Sequence, residues 1–298
     1  MNKIPVVFTF DSRILLGAGV SIKSLIDTAN TDTMLDIWVL HPDLSDKTIS
    51  EFSKMVENTN HQINFIKIDK NDKRFSNLAV NSKSWTQVVY YKFLIPELLK
   101  DYDKAIYSDV DVCFVKDMSE VYNTDLENYE FGAVRAEKNS PNSKNHRYFP
   151  ENKNEYTYWT GFMVMNLKKM REDNLTQKLF YVARDFATRL LFFDLDVLNI
   201  TCNNIKPVDF SYVTLETIYE YEDITTTKEY EFLKEIYTKD ELTNAKKSPA
   251  IIHYAGDLGK PWRRKNPPSY YQNYINSIPK SLRKLTLRDI RKKFFSKK

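Results

Sequence analysis

Glycine is scarce in this chain. Its 298 residues include six glycines, whereas an average usage of about 7 % would give about twenty. The single G-x-G, at Gly17 and Gly19, has Ile22 where the dinucleotide-binding fingerprint needs its third glycine, and no G-x-x-x-x-G-K-[ST] phosphate loop occurs. Glycine-rich phosphate loops are therefore excluded, and a nucleotide would have to be held by other groups.

Cysteines and long apolar runs are also few. Cys113 and Cys202 are the two cysteines, too few for a disulfide framework and without the C-x-x-C spacing of a metal site. No apolar run approaches the roughly 18 residues that a membrane-spanning helix needs. The first residues lead directly into an apolar strand-like segment, without the apolar core and cleavage site of a signal peptide, so we expect a cytoplasmic protein.

Most of the chain carries no net positive charge. The net charge is +4, but residues 280–298 hold nine Lys or Arg and one acid, and the remaining residues hold 35 bases against 39 acids. A slightly acidic body lacks the basic face that nucleic-acid binding requires, so no nucleic-acid partner is expected. The basic tail alone is left for an anionic partner.

Apolar and polar segments alternate along the first hundred residues. Short β-branched and aromatic runs at 6–10, 35–40 and 63–68 indicate strands, and the stretches at 20–26 and after the N-cap candidate Ser45 indicate helices. A β-α-β-α-β order is typical of parallel strands with helical crossovers. The sequence thus predicts an α/β fold with a mostly parallel central sheet flanked by helices.

Later segments extend this pattern. We predict a helix over 87–99 interrupted near Pro96, strands at 104–107 and 162–165, and a long helix that begins near Leu175. The polar residues 137–155 are predicted to form a loop, and loops of this length are often functional, so we expect a mobile segment that covers a substrate. Residues 210–248 are charged and carry no recognisable motif.

Two carboxylates, Asp109 and Asp111, follow a predicted strand at i and i+2. Open α/β sheets place ligands at the carboxyl ends of their strands, so this pair is a candidate for a divalent cation that neutralises a diphosphate. Asp101-x-Asp103 and Asp194-x-Asp196 share the spacing, and solvated turn residues are the alternative. Asp109 and Asp111 differ because they lie between two apolar runs, where unpaired carboxylates would be costly.

His253 follows Ile251-Ile252 at the end of another predicted strand. The alternative to a ligand is a hydrogen-bonded structural histidine. Gly256 and Gly259 permit a tight turn just after it, and Lys260 adds a compact cation suited to phosphate. Imidazole with carboxylates suits Mn²⁺, whereas an all-oxygen site suits Mg²⁺. The other histidines, at 41, 61 and 146, lie in polar contexts and are predicted at the surface.

Two further acidic positions are candidates for polar contacts with a ligand. Asp11, after the first strand, could accept a hydrogen bond from a base or ribose, or could cap the next helix. Asp194, with Asp196 and Asn199, could bind a ligand rich in hydroxyl groups, or could simply begin a helix. The residues themselves do not decide between these alternatives.

Taken together, seven segments resemble glycosyltransferase family 8, a retaining group that includes glycogenins and bacterial lipopolysaccharide galactosyl- and glucosyltransferases. The resemblance runs from Pro5 to Trp262, and the motifs match best those of bacterial lipopolysaccharide and lipooligosaccharide galactosyltransferases. The segments are residues 7–11, 90–97, 104–111, 132–134, 161–167, 194–199 and 253–262. Each is short, but their order and spacing are specific in combination.

The resemblance implies a GT-A catalytic domain over 1–262, followed by an aromatic and basic extension over 263–298. It implies transfer of galactose or glucose from a UDP-sugar to an oligosaccharide or lipid-linked glycan acceptor, of lipopolysaccharide or another surface glycoconjugate. Mn²⁺, with Mg²⁺ as the alternative, would be held by Asp109, Asp111 and His253. A non-catalytic protein that binds UDP or a glycan and kept the fold is the competing interpretation.

The resemblance also implies a set of donor-binding residues. Asp11 would lie near uridine, Gly256 and Lys260 near the diphosphate, and Asp194 near the sugar hydroxyls, with Asp194 and Lys260 taking part in catalysis. The implied set is Phe10, Asp11, Lys92, Asp109, Val110, Asp111, Gly132, Trp159, Thr160, Asp194, Leu195, His253, Gly256 and Lys260.

Four positions depart from the family pattern. Leu195 replaces a glutamine that was a candidate nucleophile, so the sequence favours same-face attack assisted by the UDP oxygen, or a different nucleophile such as Asp194. Lys92 replaces an arginine and loses its planar fork. Trp159-Thr160 stands in place of an asparagine, and Ala136 in place of an aspartate; these two changes affect the expected sugar and acceptor contacts.

The basic tail would be amphipathic if helical. Leu287, Ile290 and Phe294 would share one face, although Arg283 interrupts the pattern on its N-terminal side. One interpretation is a solvated tail. The other is attachment of residues 280–298 to an anionic membrane surface, which would place the protein on the inner face of the membrane.

Overall fold

The computed structural model describes residues 2–80, 86–143, 148–256 and 258–295, and only the backbone of Phe295. His146, Asp257 of the 253–262 segment and the last three residues of the basic tail lie outside the described residues.

A seven-stranded sheet forms the centre of the molecule, in the order β3-β2-β1-β4-β7-β6-β8. All its strands point the same way except β7, which is antiparallel to both β4 and β6. The mostly parallel α/β sheet is thus confirmed. The strands are β1 (Asn2–Thr9), β2 (Thr33–His41), β3 (Gln62–Lys67), β4 (Lys104–Ser108), β6 (Phe131–Lys138), β7 (Tyr156–Asn166) and β8 (Ile205–Val208).

A smaller sheet of three strands lies beside the carboxyl end of β4. Its order is β5-β10-β9, where β10 pairs antiparallel with β5 and parallel with β9. The pairing brings the chain after Asp109 next to residues more than a hundred positions later. The strands are β5 (Val112–Phe114), β9 (Thr214–Leu215) and β10 (Ile251–His253).

The central strand β1 explains why the sheet is covered on both faces. Val6, Val7 and Phe8 are fully buried although they alternate in direction, which is the continuous apolar pattern of a parallel strand between two helical layers. Twelve α-helices are described: α1 (Leu15–Thr28), α2 (Asp46–Ser53), α3 (Ile95–Leu98), α4 (Ser119–Tyr122), α5 (Leu167–Glu172), α6 (Leu175–Asp185), α7 (Asp194–Thr201), α8 (Glu216–Glu220), α9 (Lys228–Leu233), α10 (Lys239–Lys247), α11 (Ser269–Ser277) and α12 (Leu287–Phe295).

Short 3₁₀ turns connect these elements. They are Lys73–Phe75, Gln87–Leu94, Phe210–Val213, Ile224–Thr226, Pro261–Arg263 and Lys280–Leu282. Over 87–99 the structure has the 3₁₀ helix followed by α3, with Pro96 in the first turn of α3. The predicted interruption therefore exists, because proline lacks the N–H that would continue the preceding helix but is tolerated in a first turn. Ser45 caps α2 as predicted, accepting from the amide of Thr48.

One local prediction was wrong, and another was incomplete. The strand predicted at 162–165 is present as part of the longer strand β7, which begins at Tyr156. His41, predicted at the surface, is buried at the end of β2, where its Nδ1 accepts from the amide of Leu44 at 3.0 Å. The loop predicted at 137–155 is present at residues 139–143 and 148–155, where the side-chain amide of Asn139 donates to the carbonyls of Phe149 and Asn152. These residues do not line the central cavity, and a mobile cover over the substrate stays a prediction.

The C-terminal residues pack onto the body of the fold. In α11, Tyr271 is buried with its ring 5.0 Å from that of Tyr254, at an interplanar angle of 84°. Gly19 in α1 faces Ile278, whose Cδ1 would lie 2.8 Å from a Cβ at the glycine. Helix α12 follows and contacts the turn Pro261–Arg263. Among the residues described, no helix is long and apolar enough to span a bilayer.

Candidate active site

A cavity of about 620 Å³ opens at the carboxyl ends of β1 and β4. This is the edge where open α/β sheets bind their ligands. Twelve of the fourteen implied donor-binding residues line it: Phe10, Asp11, Lys92, Asp109, Val110, Asp111, Trp159, Thr160, Asp194, Leu195, His253 and Lys260.

Gly132 and Gly256 do not line this cavity. In β6, Gly132 makes room for the neighbouring strand, because a Cβ there would lie 3.1 Å from Val208 Cγ2. Gly256 has a φ of +141°, a conformation that favours glycine, and a Cβ would lie 2.7 Å from Glu229 Oε1. Packing and backbone conformation account for both glycines, and their contact with a donor stays a prediction.

Asp109 and Asp111 lie on either side of the turn between β4 and β5. The amide of Asp109 donates to the carbonyl of Gly161 at 2.7 Å, and its Oδ1 accepts from the hydroxyl of Tyr107 at 2.6 Å. Its side chain is 38 % exposed, so one oxygen can face the cavity. Asp111 is buried more deeply and forms an ion pair with Lys260.

Strand pairing brings His253 to Asp111. His253 pairs with Val112 across the antiparallel β10–β5 ladder, and the amide of Tyr254 donates to the carbonyl of Asp111 at 2.9 Å. As a result, His253 Nε2 lies 3.5 Å from Asp111 Oδ1. The sequence signal for this contact was the position of both residues at strand ends.

Gly161 is a site residue that the sequence analysis did not single out. An ideal Cβ at this position would lie 2.9 Å from Asp109 Oδ2 and 3.5 Å from His253 Cε1. Any side chain here would therefore displace the Asp109 carboxylate. Its place in a motif was visible in the sequence, but the close approach depends on the antiparallel pairing of β4 with β7, which the sequence did not reveal.

The donor atoms around Asp111 fit a divalent cation. Two carboxylates and one imidazole form a ligand set that suits Mn²⁺. Among the described groups, Asp111 Oδ1 and His253 Nδ1 are buried without a hydrogen-bond partner, which is unusual for buried polar atoms. Burial opposes ionisation of Asp111, but the charges of Lys260 and His253 outweigh it and hold its pKa well below the usual range.

The three candidate cation ligands do not form a ready-made metal site in this conformation. Within the part of the chain that the structure describes, no group of three His, Cys, Asp or Glu side chains could hold a metal ion as it stands. The Lys260 ammonium pairs with Asp111 Oδ2 and donates to the carbonyl of Tyr254 at 2.8 Å. Asp111 Oδ1, which has no hydrogen-bond partner, is the oxygen left for a cation.

A second cluster lies deeper in the cavity, around Lys92. Its ammonium is 2.6 Å from Asp194 Oδ2 and 3.7 Å from Asp109 Oδ1, and 4.2 Å from the centre of the Tyr107 ring. Lys92 is 2 % exposed. One cation is thus shared by two carboxylates in a buried setting, and these carboxylates raise its pKa against the effect of burial.

The pKa of Asp194 is higher than that of an ordinary aspartate. Burial raises its pKa to about 6, the negative charge of Asp109 adds to this effect, and Lys92 opposes it. Its Oδ2 also accepts from the hydroxyl of Thr160 at 3.2 Å. Titratable groups shifted by burial and by a specific charge are enriched in functional sites.

The backbone just before Asp194 is strained. Phe193 has φ 47° and ψ −103°, a conformation that is rare for a bulky residue and often found beside active sites. Asp196 explains how this turn is held, because its Oδ2 accepts from the amides of Leu191 and Phe192 at 2.7 Å each. The two acids of this motif therefore differ, since Asp194 faces the cavity and Asp196 holds the start of α7.

Asp11 lines the cavity and does not cap the next helix, so of its two predicted roles only contact with a base or ribose stays a prediction. Helix α1 begins at Leu15 with no side-chain cap. Asp11 instead accepts from the amide and guanidinium of Arg13 and from the hydroxyl of Thr86. Arg13 and Thr86 also line the cavity, and the sequence analysis did not single them out.

The solved galactosyltransferase LgtC, in complex with donor and acceptor sugar analogs, has a similar chain trace. The TM-score is 0.74 over 94 % of this chain and 99 % of that one, at 19 % identity. This likeness shows that the protein has the GT-A glycosyltransferase fold, as predicted. The model of glycosyl transferase family 8 matches residues 5–266. The chain belongs to this family.

Curated relatives are similar to the chain at low identity. Glycosyltransferase GlyA of Streptococcus pneumoniae is 23 % identical over 226 residues, which cover 76 % of this chain and 28 % of that protein. Lipopolysaccharide 1,3-galactosyltransferase of Salmonella typhimurium is 24 % identical over 284 residues, which cover 88 % of this chain and 73 % of that protein. The chain thus spans less than a third of the first relative.

Proposed function

We propose that the protein is a retaining hexosyltransferase that moves galactose or glucose from a UDP-sugar to a glycan acceptor. The observation that carries this proposal is the convergence of Asp109, Asp111, His253 and Lys260 at one cavity. Two strand ends and one short ladder bring these groups together. Asp109, Asp111 and His253 are candidate ligands for a metal ion, and Lys260 adds the positive charge of its ammonium. Positive charge at this place would stabilise the negative charge that develops on a departing diphosphate.

Asp109, Asp111 and His253 would hold the metal, Mn²⁺ or alternatively Mg²⁺. When bound, the metal would neutralise charge on the diphosphate as the sugar leaves. The support for this assignment is the buried Asp111 oxygen without a hydrogen-bond partner, beside an imidazole at 3.5 Å. Lys260, which now neutralises Asp111, would turn to the diphosphate and leave the carboxylate to the metal.

Asp194 is the residue we assign to the transferred sugar. Its carboxylate faces the cavity, held by Lys92 and Thr160, and can accept hydrogen bonds from sugar hydroxyls. Leu195 beside it has no nucleophilic atom. Retention of configuration would then follow from same-face attack assisted by the UDP oxygen, or from Asp194 acting as the nucleophile in two displacements.

The acceptor class is suggested by the relatives. One of them is a lipopolysaccharide 1,3-galactosyltransferase and another is a lipopolysaccharide 1,2-glucosyltransferase. By this similarity we assign the acceptor to lipopolysaccharide or another surface glycoconjugate, presented as an oligosaccharide or a lipid-linked glycan. Trp159 and Leu195 lie on the cavity wall at positions where the family pattern has polar amide side chains. We expect the acceptor hydroxyls bound here to differ from those bound by proteins that keep these amides.

We also propose that residues 280–298, which include α12, attach the protein peripherally to an anionic membrane surface, on the cytoplasmic side. Leu287, Ile290 and Phe294 are 79 %, 37 % and 63 % exposed and lie at helical spacing, with basic residues around them. Such a helix lies in the lipid interface when anionic headgroups complement its charge. Co-sedimentation with phosphatidylserine vesicles should be lost on deletion of residues 280–298, and equal binding by both proteins would contradict attachment.

The direct test of function is a screen of UDP-galactose, UDP-glucose and UDP-N-acetylglucosamine for release of UDP. A transferase should release UDP slowly from one hexose donor without acceptor, and the release should require Mn²⁺ or Mg²⁺. Tight binding of UDP without any release would identify a non-catalytic UDP- or glycan-binding protein instead.

A further inference from the structure

The wall of the candidate active site includes residues from the C-terminal helix. Thr286, Arg288 and Asp289 line the same cavity as Asp109 and Lys260. These three residues lie beyond the segment 5–266 that the family model matches. The cavity is therefore completed by a part of the chain that the family resemblance does not describe.

Asp289 fixes α12 to the segment that carries Lys260. Its side chain is 4 % exposed and its Oδ1 accepts from the guanidinium of Arg263. Its Oδ2 accepts from the hydroxyl of Thr286 at 2.6 Å, and its amide donates to that same hydroxyl at 3.2 Å. This reciprocal capping closes the first turn of α12, and the partly buried ion pair holds that turn against the cavity.

The docked first turn brings positive charge to the cavity. The N-terminal end of a helix carries a partial positive charge, and Arg288 lies in this turn. A guanidinium presents planar paired donors that match phosphate oxygens in two parallel hydrogen bonds. Arg263 forms an ion pair with Asp289, the residue that follows Arg288. Because Arg263 is three residues after Lys260, this ion pair connects the first turn of α12 to the segment of Lys260.

We propose that Arg288 is a donor-binding residue that contacts the diphosphate of the nucleotide donor, with Asp289 and Arg263 as the positioning residues that hold it there. The inference rests on the proposed function, since it takes a nucleotide diphosphate as the ligand. It also gives the C-terminal helix a role in the site that is separate from membrane attachment. Asp289 faces the protein, while Leu287, Ile290 and Phe294 are exposed.

The experiment measures binding of UDP and of uridine to the full chain by calorimetry, with Mn²⁺ at fixed ionic strength and without membranes. Arg288→Ala should weaken UDP binding about tenfold, the equivalent of one charge-assisted contact of about 1.4 kcal/mol, and leave uridine binding unchanged. The matched control is Arg291→Ala, which removes the same charge from the same helix. Arg291 is exposed and, unlike Arg288, does not line the cavity.

The two hypotheses fail differently in this experiment. If the wild type binds UDP and the Arg288→Ala and Arg291→Ala proteins bind it equally, the inference is wrong and the proposed function stands. The inference is also wrong if Arg288→Ala weakens uridine as much as UDP, because the effect would then be structural. A wild type that does not bind UDP would overturn both. Asp289→Asn, which weakens the anchor, should reduce UDP affinity in the same direction.

Discussion

The acidity of Asp194 makes the stability of the metal-free protein depend on pH in a defined direction. Burial raises the pKa of this carboxyl from its ordinary 3.8 to about 6. Between these values the folded protein keeps a proton that the unfolded chain releases. The folded state then binds more protons, so its stability falls as the pH rises from about 4 to about 6. The difference between the two pKa values corresponds to about 3 kcal/mol.

The substitution Asp194→Asn removes this titration and keeps the shape of the side chain. The free energy of unfolding of the variant minus that of the wild type should therefore increase by about 2.4 kcal/mol between pH 4 and pH 7, since part of the unfolded-state titration lies below pH 4. The assay is urea denaturation of both proteins in EDTA at several pH values. Asp101→Asn, at an exposed position outside the cavity, is the matched control. A difference that stays constant or decreases with pH would refute the assignment of Asp194 as a buried, proton-retaining acid.

Three further predictions concern two cavity residues, Gly161 and Leu195, and one ion pair outside the cavity lining, between Glu216 and Arg264. Gly161→Ala should weaken Mn²⁺-dependent UDP binding at least tenfold by calorimetry, because the new Cβ would lie 2.9 Å from Asp109 Oδ2; unchanged affinity would exclude the close approach. Glu216→Gln should lower the free energy of unfolding by about 2 kcal/mol, because it breaks a largely buried ion pair with Arg264, and a loss below about 0.5 kcal/mol would be too small for this pair. Leu195→Ala should leave the anomeric configuration of the product unchanged by NMR, since leucine supplies no nucleophile, and an inverted product would contradict this.

Much of the fold follows from local patterns. Parallel strands with helical crossovers were predicted from alternating segments, and Ser45 was recognised as an N-cap from its residue type alone. The direction of β7 could not be predicted in this way. Its antiparallel position between β4 and β6 is set by long-range pairing, and apolar runs carry no signal for strand direction.

The site was predicted where its residues stand at strand ends and missed where it depends on tertiary contacts. Asp109 and His253 were found because both end an apolar run. Gly161 and Arg288 were not, since their positions depend on a neighbouring strand and on the docking of α12. Gly132 was predicted at the donor from the family resemblance alone; the structure places it in the packing of β6 against β8, and its contact with a donor stays a prediction.

We propose that Asp111 and its neighbours hold a metal that assists departure of UDP. The most direct measurement is the rate of UDP release from the preferred UDP-hexose by the wild type and by Asp111→Asn, with Mn²⁺ and with EDTA. We predict release by the wild type with Mn²⁺, none in EDTA, and a loss of at least about a hundredfold in the variant, with its circular dichroism spectrum unchanged. Near-normal, Mn²⁺-stimulated release by a folded Asp111→Asn protein would contradict the account.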